Sequence, residues 1–600
     1  MCGIVAYIGP KDAVPILLEG LQRLEYRGYD SAGIAVGTKN GGIGHRKVKG
    51  RVADLAKALP ARLKGGLGIG HTRWATHGEP SDENAHPHLD AAERIAVVHN
   101  GIIENADELK DTLKGRGVEF RSETDTEVLA HLIAAAVAQG GELEDAVRRA
   151  LREVVGTYGI AVLDAERPDR IVVARNGSPI VLGIGEKEMF AASDVAALVR
   201  YTRQVVHLDD GELATIRADG FRTDTAKEPA TLEVEPVHYD RAGFEHFLRK
   251  EIHEQPAAVG RALRGRLDER FHTARLGGLN LDAREIRGFR RVKVLGCGSA
   301  YYAGQIGAQL IEELARIPAD AEPASEFRYR NPVVESDTLY IAVSQSGETY
   351  DTLAAVQELR RKGGRVLGIV NGVGSAIARE CDGGVYLHAG PEVSVASTKS
   401  FTATAVVFAL LAQHLGRLHD LSPADGRRIT EGLKALPGQI AGILAEEERI
   451  AALAAEYVRY PGMLFIGRVR GYPVAREGAQ KLKEVSYLHA EAYPASELKH
   501  GPLALVGPEL PVIAVVPDDE LLDKNLTTLG EVRARRGRVL MVGHRRTDAA
   551  DDVLLVPANE PELDPILLSI PLQLFAYHAA VALGRDVDRP RNLAKSVTVE

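Results

Sequence analysis

The cysteine at position 2 is the first residue of this sequence whose type and position could do chemistry. Methionine excision favours a small second residue, so removal of Met1 is predicted to leave Cys2 with a free α-amine. A thiolate attacks acyl carbons, and an α-amine with a pKa of about 7.7–8.0 can serve as the base that generates it. Cys2 is therefore a candidate nucleophile with its own base. The alternative is a small buried residue at a strand start.

Four polar segments in the first 130 residues could surround such a nucleophile. Each follows a predicted strand or begins or ends a predicted helix, where binding residues usually collect. The segments are 24–33, 71–78, 99–105 and 122–127. Ordinary alternatives stay open: Asn100-Gly101 could be a hairpin turn and Asp125 could favour a helix N-terminus. Arg73 could form a surface ion pair.

Three polar turns in the second half could hold an anion. Residues 343–352 run from a strand end through a hydroxyl-rich turn into a helix start, which directs N–H groups and hydroxyls at one point. The turns at 297–300 and 397–399 are similar. The alternative for the first turn is simple helix capping, although three hydroxyls within six residues exceed what one cap needs.

The C-terminal part carries further charged candidates. Lys481 and Glu484 are spaced i,i+3 and could be a solvated salt bridge. Lys595 could belong to a frayed tail. The apolar spacing of Leu593, Val597 and Val599 instead favours a docked tail.

The elements that position these residues change along the chain. Up to about residue 215, short β-branched runs alternate with helical patterns, and Thr124 followed by Glu127 indicates a helix cap. The predicted strands are 3–8, 34–36, 95–98, 159–163 and 171–174, and the predicted helices are 17–24 and 127–137. This predicts an α+β domain built on sheets. From about residue 290, strand, glycine turn and helix alternate, which predicts α/β structure with parallel sheets.

An internal repeat divides this second half. Residues 296–309 align on 467–480 without gaps at an offset of 171, and two later segments match at offsets of 172 and 173. We therefore predict two duplicated α/β subdomains. The second copy has Asp518, Asp519 and Glu520 where the hydroxyl-rich turn stands in the first, so only the first copy should bind an anion.

Bulk properties exclude several classes of protein. The 600 residues imply several domains, and the net charge of 74 − 83 = −9 gives no broad footprint for nucleic acid. The three cysteines form neither a disulfide framework nor a zinc motif, and we see no signal peptide, so a reducing, cytoplasmic setting is predicted. Residues 401–412 are too short for a membrane span, and 566–583, interrupted by Pro571, are predicted to be a buried core helix.

The first polar segments together resemble the class II glutamine amidotransferase (glutaminase) domain, an N-terminal-nucleophile (Ntn) hydrolase sandwich. The resemblance implies that Cys2 attacks the side-chain amide of glutamine, with Asn100 and Gly101 as the oxyanion hole. It implies further residues for binding glutamine or organising its site: Arg27, Gly28, Arg73, Trp74, Thr76, His77 and Asp125. Trp74 would gate an ammonia channel. His71, His77, His86 and His99 lack ligand spacing and are interpreted as structural or supporting residues, and no metal site or cofactor is predicted.

The repeat, the hydroxyl-rich turn and the C-terminal segments resemble a tandem pair of sugar isomerase (SIS) domains. A glutaminase fused to such a pair is similar to the glucosamine-6-phosphate synthase family, which starts amino-sugar biosynthesis from glutamine and fructose 6-phosphate. The resemblance implies a Schiff base on Lys595, ring opening by His500 of a neighbouring subunit in a homodimer, and proton transfer by Glu484. It implies sugar-phosphate contacts from Ser299, Ser344, Gln345, Ser346, Thr349, Val395, Ser397 and Lys481.

The predicted organisation has five parts. They are a glutaminase domain at 2–215, a linker at 216–245, SIS domains at 285–425 and 455–590, and a catalytic tail at 591–600. The family commonly has Cys-Gly-Thr-Ser where this chain has Cys297-Gly-Ser-Ala300, so position 300 lacks a hydroxyl. Three rival functions share part of this pattern: a glutaminase acting on phosphoribosyl pyrophosphate, a phosphosugar-sensing binding protein, and a deglycase or isomerase without glutaminase activity.

Overall fold

A computed structural model describes residues 2–38, 41–75, 77–232 and 240–598 of the chain. The chain divides into two compact units, Met1–Asp240 with Ser596–Glu600, and Arg241–Lys595.

In its described residues, the first unit has two antiparallel sheets and five α-helices. Its strands are β1 Gly3–Ile8, β2 Ser31–Gly37, β3 Ile43–Lys49, β4 Leu67–Arg73, β5 His88–Leu89, β6 Ile95–Ile103, β7 Gly156–Asp164, β8 Ile171–Asn176, β9 Val181–Ile184, β10 Met189–Ala192, β11 Gln204–His207, β12 Leu213–Arg217, β13 Gly220–Thr223 and β14 Ala230–Thr231. Its helices are α1 Ala13–Leu24, α2 Val52–Ala58, α3 Ala106–Gly115, α4 Glu127–Ala138 and α5 Leu143–Leu151.

These elements form four layers. One sheet has the order β14-β11-β9-β10-β1-β4-β2-β3 and the other the order β13-β12-β8-β7-β6-β5. One buried cluster combines residues of β1 and β4 with residues of β6, β7 and β8, so the two sheets face each other. Helix α1 packs on β1 and β4, whereas α4 and α5 pack on the outer face of the second sheet. The predicted α+β sandwich is confirmed.

All five predicted strands of this unit are present, and their bounds agree best where both faces are buried. β1 matches its predicted range, since every residue of the strand is buried. The predicted cap at Thr124 is wrong, because α4 begins at Glu127 with Thr126 as the preceding cap residue. The Glu127 carboxylate accepts hydrogen bonds from the N–H groups of Arg121 and Ser122 at 2.8 and 2.7 Å, which holds the preceding loop instead of a capping box.

The predicted linker at 216–245 starts inside the sheets. β13 pairs with β12, and β14 pairs with β11, so the chain remains in the first unit up to Thr231. These strands are short and mostly solvated, so they lack the apolar alternation that marks a strand in a sequence. The middle of the predicted linker, 233–239, lies outside the described residues.

The second unit alternates helices and strands. Its helices are α6 Phe247–His253, α7 Gln255–Leu263, α8 Ala283–Gly288, α9 Ser299–Ala315, α10 Ala324–Tyr329, α11 Tyr350–Arg361, α12 Ala376–Glu380, α13 Lys399–Leu418, α14 Pro423–Leu444, α15 Glu447–Tyr457, α16 Gly471–Ser486, α17 Leu522–Arg533 and α18 Asp564–Ala582. Its strands are β15 Leu267–Asp268, β16 Thr273–Ala274, β17 Arg291–Gly296, β18 Ala319–Pro323, β19 Thr338–Ser344, β20 Arg365–Val370, β21 Gly383–Tyr386, β22 Gly462–Gly467, β23 His489–Pro494, β24 Val512–Val516, β25 Val539–Gly543 and β26 Asp552–Leu555.

Two five-stranded parallel sheets confirm the predicted duplication. Their orders are β18-β17-β19-β20-β21 and β23-β22-β24-β25-β26, so both read 2-1-3-4-5 in local chain order. In each sheet the order reverses beside the first strand, between β17 and β19 or between β22 and β24. In open α/β sheets, ligands bind outside the carboxyl ends of strands at such a reversal.

One hydrophobic cluster of the second unit extends through both SIS copies and includes two long apolar helices. The helices Lys399–Leu418 and Pro561–Ala582 have the length and composition of membrane spans, but 83% of the apolar window of each is buried inside the unit. The apolar stretch 401–412 lies within a helix of 20 residues, because the residues on both sides of the stretch are also helical. Burial by neighbouring helices is typical of core helices, as predicted for 566–583.

Candidate functional site

Cys2 immediately precedes β1, an interior strand of the first sheet. β1 pairs with β4 so that Gly3 faces Thr72, which brings Cys2 beside the end of β4. The Trp74 N–H donates to the Cys2 Sγ at 3.2 Å. Burial raises the pKa of the Cys2 thiol, while the Trp74 N–H and the Arg73 guanidinium act in the opposite direction. The thiol therefore needs a base near it to become a nucleophile.

Asn100 and Gly101 lie inside β6, so they are not a hairpin turn. The Asn100 Nδ2 donates to the backbone carbonyl of Cys2 at 3.0 Å, which holds this amide against the predicted nucleophile. Gly101 has a φ of 132°, and a Cβ added there would stand 2.1 Å from the Thr157 carbonyl oxygen. Only glycine fits this backbone conformation.

Two charged residues, Arg73 and Asp125, lie close enough to Cys2 to act on its thiol. Arg73 is 3% exposed, and its Nη2 donates to the carbonyls of His77 and, at 3.1 Å, Gly78. Its Nη1 is buried and has no hydrogen-bond partner within the described chain, so a donor remains for a carboxylate. Asp125 does not cap α4, because its Oδ2 accepts from the Ile103 N–H at 2.8 Å.

The other residues predicted to bind glutamine differ in their burial and in the contacts that they make. Arg27 is buried and paired with Asp194, so it organises the chain below the site. That carboxylate raises the pKa of Arg27 against the opposing effect of burial. Trp74 is half-buried and meets the Tyr29 ring edge-on at a centroid distance of 6.0 Å.

The remaining three residues of this set are Gly28, His77 and Thr76. The Gly28 N–H donates to the Glu25 carbonyl at 3.2 Å, which closes the turn that carries Arg27. His77 is exposed. Thr76 lies outside the described residues.

Buried histidines lie behind the site. The rings of His71 and His86 stack at 4.1 Å, and the His88 ring meets His86 at 4.7 Å. The His99 N–H donates to the His86 Nδ1 at 3.3 Å. Burial lowers the pKa of all four side chains, to about 3 for His71. These rings are therefore neutral and act as structural groups.

In the second unit, two of the predicted turns follow neighbouring strands. β17 and β19 pair, and the turns that follow them meet at the order reversal of their sheet. The Ser344 Oγ lies 2.8 Å from the Thr349 Oγ1 and accepts from the Gly347 N–H at 3.0 Å. The Ser346 Oγ accepts from the Glu348 N–H at 3.1 Å.

Gln345 lies in the same turn, and its carbonyl accepts from the Asn371 N–H at 3.1 Å. The hydroxyls thus surround the start of α11, as a phosphate-binding turn requires.

Ser299 and the predicted pair on α16 form one buried cluster. The Ser299 Oγ donates to the Glu477 Oε1 at 3.0 Å. The Lys481 Nζ lies 2.6 Å from Glu484 and 3.5 Å from Glu477. The Lys481 side chain is 3% exposed, so this is not a solvated salt bridge.

The protonation of this cluster follows from its burial and its charges. Burial raises the pKa of Glu477 to about 7, against the lowering effect of the Lys481 ammonium. The carboxylates of Glu477 and Glu484 raise the pKa of Lys481 although burial opposes it. Lys481 is therefore a permanent cation, whereas Glu477 can gain or lose a proton near neutral pH.

Lys595 is docked. Its Nζ lies 2.5 Å from the Glu392 Oε2, and the two side chains are 3% and 0% exposed. Burial alone would raise the pKa of Glu392, but the Lys595 ammonium and the Thr398 N–H lower it to about 2. Glu392 also accepts from the N–H groups of Thr398 and Ser400, at 2.9 and 3.1 Å. The third predicted turn and the tail lysine therefore share one carboxylate.

Val395 and Ser397 belong to the segment that carries this turn, whereas His500 lies in a different segment of the chain. Val395 is buried, and its N–H donates to the Asp588 carbonyl at 3.1 Å, while Ser397 is half-buried. His500 is exposed at the end of the 3₁₀ helix Ala495–His500. No hydrogen bond or ion pair within the described part of the chain joins His500 to the other predicted sugar-site residues.

Sequence patterns missed Glu392 and Glu477. Glu477 stands four residues before Lys481, so an i,i+4 pair on one helix face could have been found. Glu392 meets Lys595 across 203 residues, and no local spacing predicts that contact. Among the described residues, no group of three or more histidine, cysteine, aspartate or glutamate side chains could hold a metal ion.

The second copy of the SIS fold has different chemistry at the corresponding strand ends. Arg470 lies 3.0 Å from Asp519 and 3.2 Å from Glu520, and it also pairs with Glu313. Carboxylates occupy the place of the hydroxyl-rich turn, as the sequence indicated. An anion would be repelled there.

Comparison with known proteins finds both predicted types of domain. A glutamine amidotransferase domain model matches residues 71–200, and an SIS domain model matches 285–413 and 461–583. The glutamine–fructose-6-phosphate aminotransferases (isomerizing) of Thermus thermophilus and Chlorobaculum tepidum are 49% and 47% identical over 612 and 616 residues, covering 100% of each chain.

A solved structure of the C-terminal domain of glucosamine-fructose-6-phosphate aminotransferase from Francisella tularensis covers 58% of this chain and 99% of its own, with 37% identity and a TM-score of 0.55. The chain therefore belongs to the glutamine–fructose-6-phosphate aminotransferase (isomerizing) family.

Proposed function

We propose that this chain is an aminotransferase that converts fructose 6-phosphate and glutamine into glucosamine 6-phosphate and glutamate. The observation that carries the proposal is the presence of two different sites in one chain. Asn100 is held against Cys2 in the first unit, and a buried Lys595 lies in the second unit, which also has a hydroxyl-rich turn. A glutaminase and a ketose-phosphate site together account for both substrates and both products.

In the first half-reaction, the Cys2 thiolate attacks the side-chain amide carbon of glutamine. The freed α-amine of Cys2 takes the thiol proton, which the raised pKa of the thiol makes necessary. The Asn100 Nδ2 and the Gly101 N–H stabilise the oxyanion, and a single donor of this type contributes ~3–4 kcal/mol. Ammonia leaves, and water hydrolyses the resulting thioester to glutamate.

The two ends of glutamine are bound by opposite charges. The buried Arg73 has a free donor at Nη1 for the α-carboxylate, and a guanidinium binds such a group through two hydrogen bonds. Asp125 binds the α-ammonium. Arg27 and Gly28 support this part of the site, and Thr76 and His77 complete it.

In the second half-reaction, Lys595 forms an imine with the C2 ketone of the open sugar. Water leaves, and the imine is then exchanged for one with ammonia. Glu484 moves a proton from C1 to C2, and Lys481 binds the sugar hydroxyls. The phosphate is bound by Ser299, Ser344, Gln345, Ser346 and Thr349, with Val395 and Ser397 beside it.

Ring opening is assigned to His500 of a neighbouring subunit, so the active form is a homodimer. The exposure of His500 supports this assignment, because an exposed side chain is available to a second chain. Ammonia passes between the sites through a channel that Trp74 gates. The enzyme acts in the cytoplasm, at the start of amino-sugar biosynthesis.

The test is a reaction with both substrates. Purified protein mixed with glutamine and fructose 6-phosphate should form hexosamine phosphate and glutamate in equal amounts. Borohydride should trap the sugar on Lys595, and a Lys595→Met variant should lose the adduct and the amino sugar. Glutamate without any amino sugar would disprove the proposed acceptor, and active protein that retains Met1 would disprove the proposed base.

A further inference from the structure

The orientation of the Asn100 amide is fixed by its neighbours. Its Nδ2 faces the Cys2 carbonyl at 3.0 Å, and its Oδ1 faces the His71 Nε2 at 3.1 Å. A carbonyl oxygen only accepts hydrogen bonds, so the nitrogen of the amide must face Cys2. The oxygen of the amide therefore faces His71.

The same contacts fix the tautomer of His71. Its Nε2 also lies 3.0 Å from the His99 carbonyl oxygen. Both neighbours of this nitrogen are acceptors, so Nε2 must carry the proton. Nδ1 is then an acceptor, and it is buried with no hydrogen-bond partner within the described chain. His71 is fully buried, which keeps the ring in this single neutral form.

We infer that His71 is a positioning residue that holds the Asn100 amide with its N–H groups turned toward the oxyanion. The inference rests on the proposed role of Asn100 in the glutaminase reaction. An amide that rotates by half a turn would present its oxygen to the developing negative charge and would oppose the reaction. The His71 Nε2–H prevents that rotation, because a turned amide would place two donors against each other.

The neighbours of His71 explain why it can do this. His86 stacks on its ring at 4.1 Å, so the imidazole cannot turn. β4 holds its backbone opposite Ile4 and Gly33. The ring contacts Asn100, and no hydrogen bond within the described chain joins it to Cys2. Its effect on catalysis is therefore indirect.

The experiment compares two amide replacements of His71. In His71→Gln, the side-chain nitrogen reaches about as far as the imidazole Nε2, whereas in His71→Asn it is one methylene shorter and cannot reach Asn100. We expect kcat for glutamine hydrolysis to fall about 10-fold to 100-fold in His71→Asn and less than about 3-fold in His71→Gln, with little change in KM. Matched thermal unfolding of the two variants controls for folding.

A tetrahedral mimic separates positioning from ground-state binding. Glutamate γ-semialdehyde adds to a cysteine thiol and forms an oxyanion-like centre, whereas glutamate does not. In His71→Asn the affinity for the aldehyde should fall in proportion to kcat/KM, while the affinity for glutamate should stay within about 2-fold of wild type. Equal losses for both ligands would overturn the inference.

A double-mutant cycle completes the test. Once Asn100→Ala has removed the amide, adding His71→Asn should cost less than about 3-fold further, because the two residues act as a unit. Multiplied effects would overturn the positioning role and leave the proposed function intact. An Asn100→Ala variant with unchanged kcat would instead remove the oxyanion role of Asn100, and this inference with it.

Discussion

At the scale of single residues, the chemistry of both sites depends on buried polar groups with few partners. Lys595 is the clearest case, since its only charged hydrogen-bond partner within the described chain is Glu392. In the proposed reaction the Lys595 amine attacks the C2 ketone of the sugar. Glu392 holds the Lys595 side chain in place, so it fixes the position of the proposed nucleophile.

Replacing Glu392 by glutamine should lower the yield of the trapped imine about 10-fold. The substitution removes the carboxylate that pairs with Lys595 and accepts the N–H groups of Thr398 and Ser400, so the amine is no longer held at this turn. Borohydride trapping of fructose 6-phosphate on Lys595, followed by peptide mass spectrometry, measures the yield. Glu254→Gln is the matched control, because Glu254 pairs with Lys399 at 2.5 Å in the same unit. An equal yield in wild type and Glu392→Gln would contradict the prediction.

Gly101→Ala should damage the first unit and its activity together. The new Cβ would meet the Thr157 carbonyl in a backbone conformation that side chains rarely adopt, which costs about 1–3 kcal/mol. We expect lower stability and a large loss of glutamine hydrolysis. Gly115→Ala is the control, because Gly115 ends α3 with open space around its Cα. Equal behaviour of the two variants would show that the φ of Gly101 has no importance.

At the scale of elements, α9 and α16 bring residues from both SIS copies into one cluster. Ser299 starts α9, and Glu477 lies in the middle of α16. Their hydrogen bond joins the turn at 297–300 of the first copy to helix α16 of the second. The proposed sugar site therefore takes residues from both copies.

Ser299→Ala should raise KM for fructose 6-phosphate about 10-fold to 100-fold and leave glutamine hydrolysis unchanged. The substitution removes the proposed hydrogen bond from Ser299 to the phosphate, and a hydrogen bond to a charged group is worth about 1.5–3 kcal/mol. Steady-state kinetics with varied sugar measures the effect. Thr527→Ala, which removes an exposed hydroxyl from α17, is the control. An unchanged KM in Ser299→Ala would remove Ser299 from the predicted phosphate site.

The elements also show what a sequence can predict. The strands β1 and β8 and the duplicated sheets followed from short apolar runs and glycine turns, because buried parallel and central strands leave that pattern. The predicted cap at Thr124 was wrong, because the Glu127 carboxylate accepts hydrogen bonds from N–H groups of the loop before α4. β13 and β14 were missed because they are solvated. The contact between Glu392 and Lys595 depends on the tertiary fold, which no local spacing encodes.

At the scale of the whole molecule, the two units differ in how they respond to acid. Four neutral histidines are buried in the first unit, beside Arg73, Asp125, Lys47 and Glu127. The unfolded chain binds a proton at each below a pH of about 6.5, whereas folded His71 stays neutral down to about 3. The stability that these residues provide is present above pH 6.5 and is lost as the pH falls.

Acid should therefore unfold the first unit before the second. Each of these histidines lowers the free energy of unfolding by up to about 1.4 kcal/mol per pH unit below about pH 6. The sequence contains a single tryptophan, Trp74, so its fluorescence reports the first unit alone. Thermal unfolding is measured at pH 7, 6 and 5. The midpoint temperature followed by Trp74 fluorescence should fall steeply with pH, and the midpoint followed by the circular dichroism of the whole chain should fall less. Parallel declines would contradict the prediction.

The packing of α18 on α15 and α16 has a consequence for how the chain is made. The core of the second unit includes residues from Leu248 to Val587, so it cannot close until α18 has been synthesised. The first unit's strands, through Thr231, are all made earlier. A nascent chain that pauses between α16 and α18 therefore leaves the apolar faces of α15 and α16 without the helix that covers them. Slow translation of the region from 487 to 563 should make this protein dependent on chaperones.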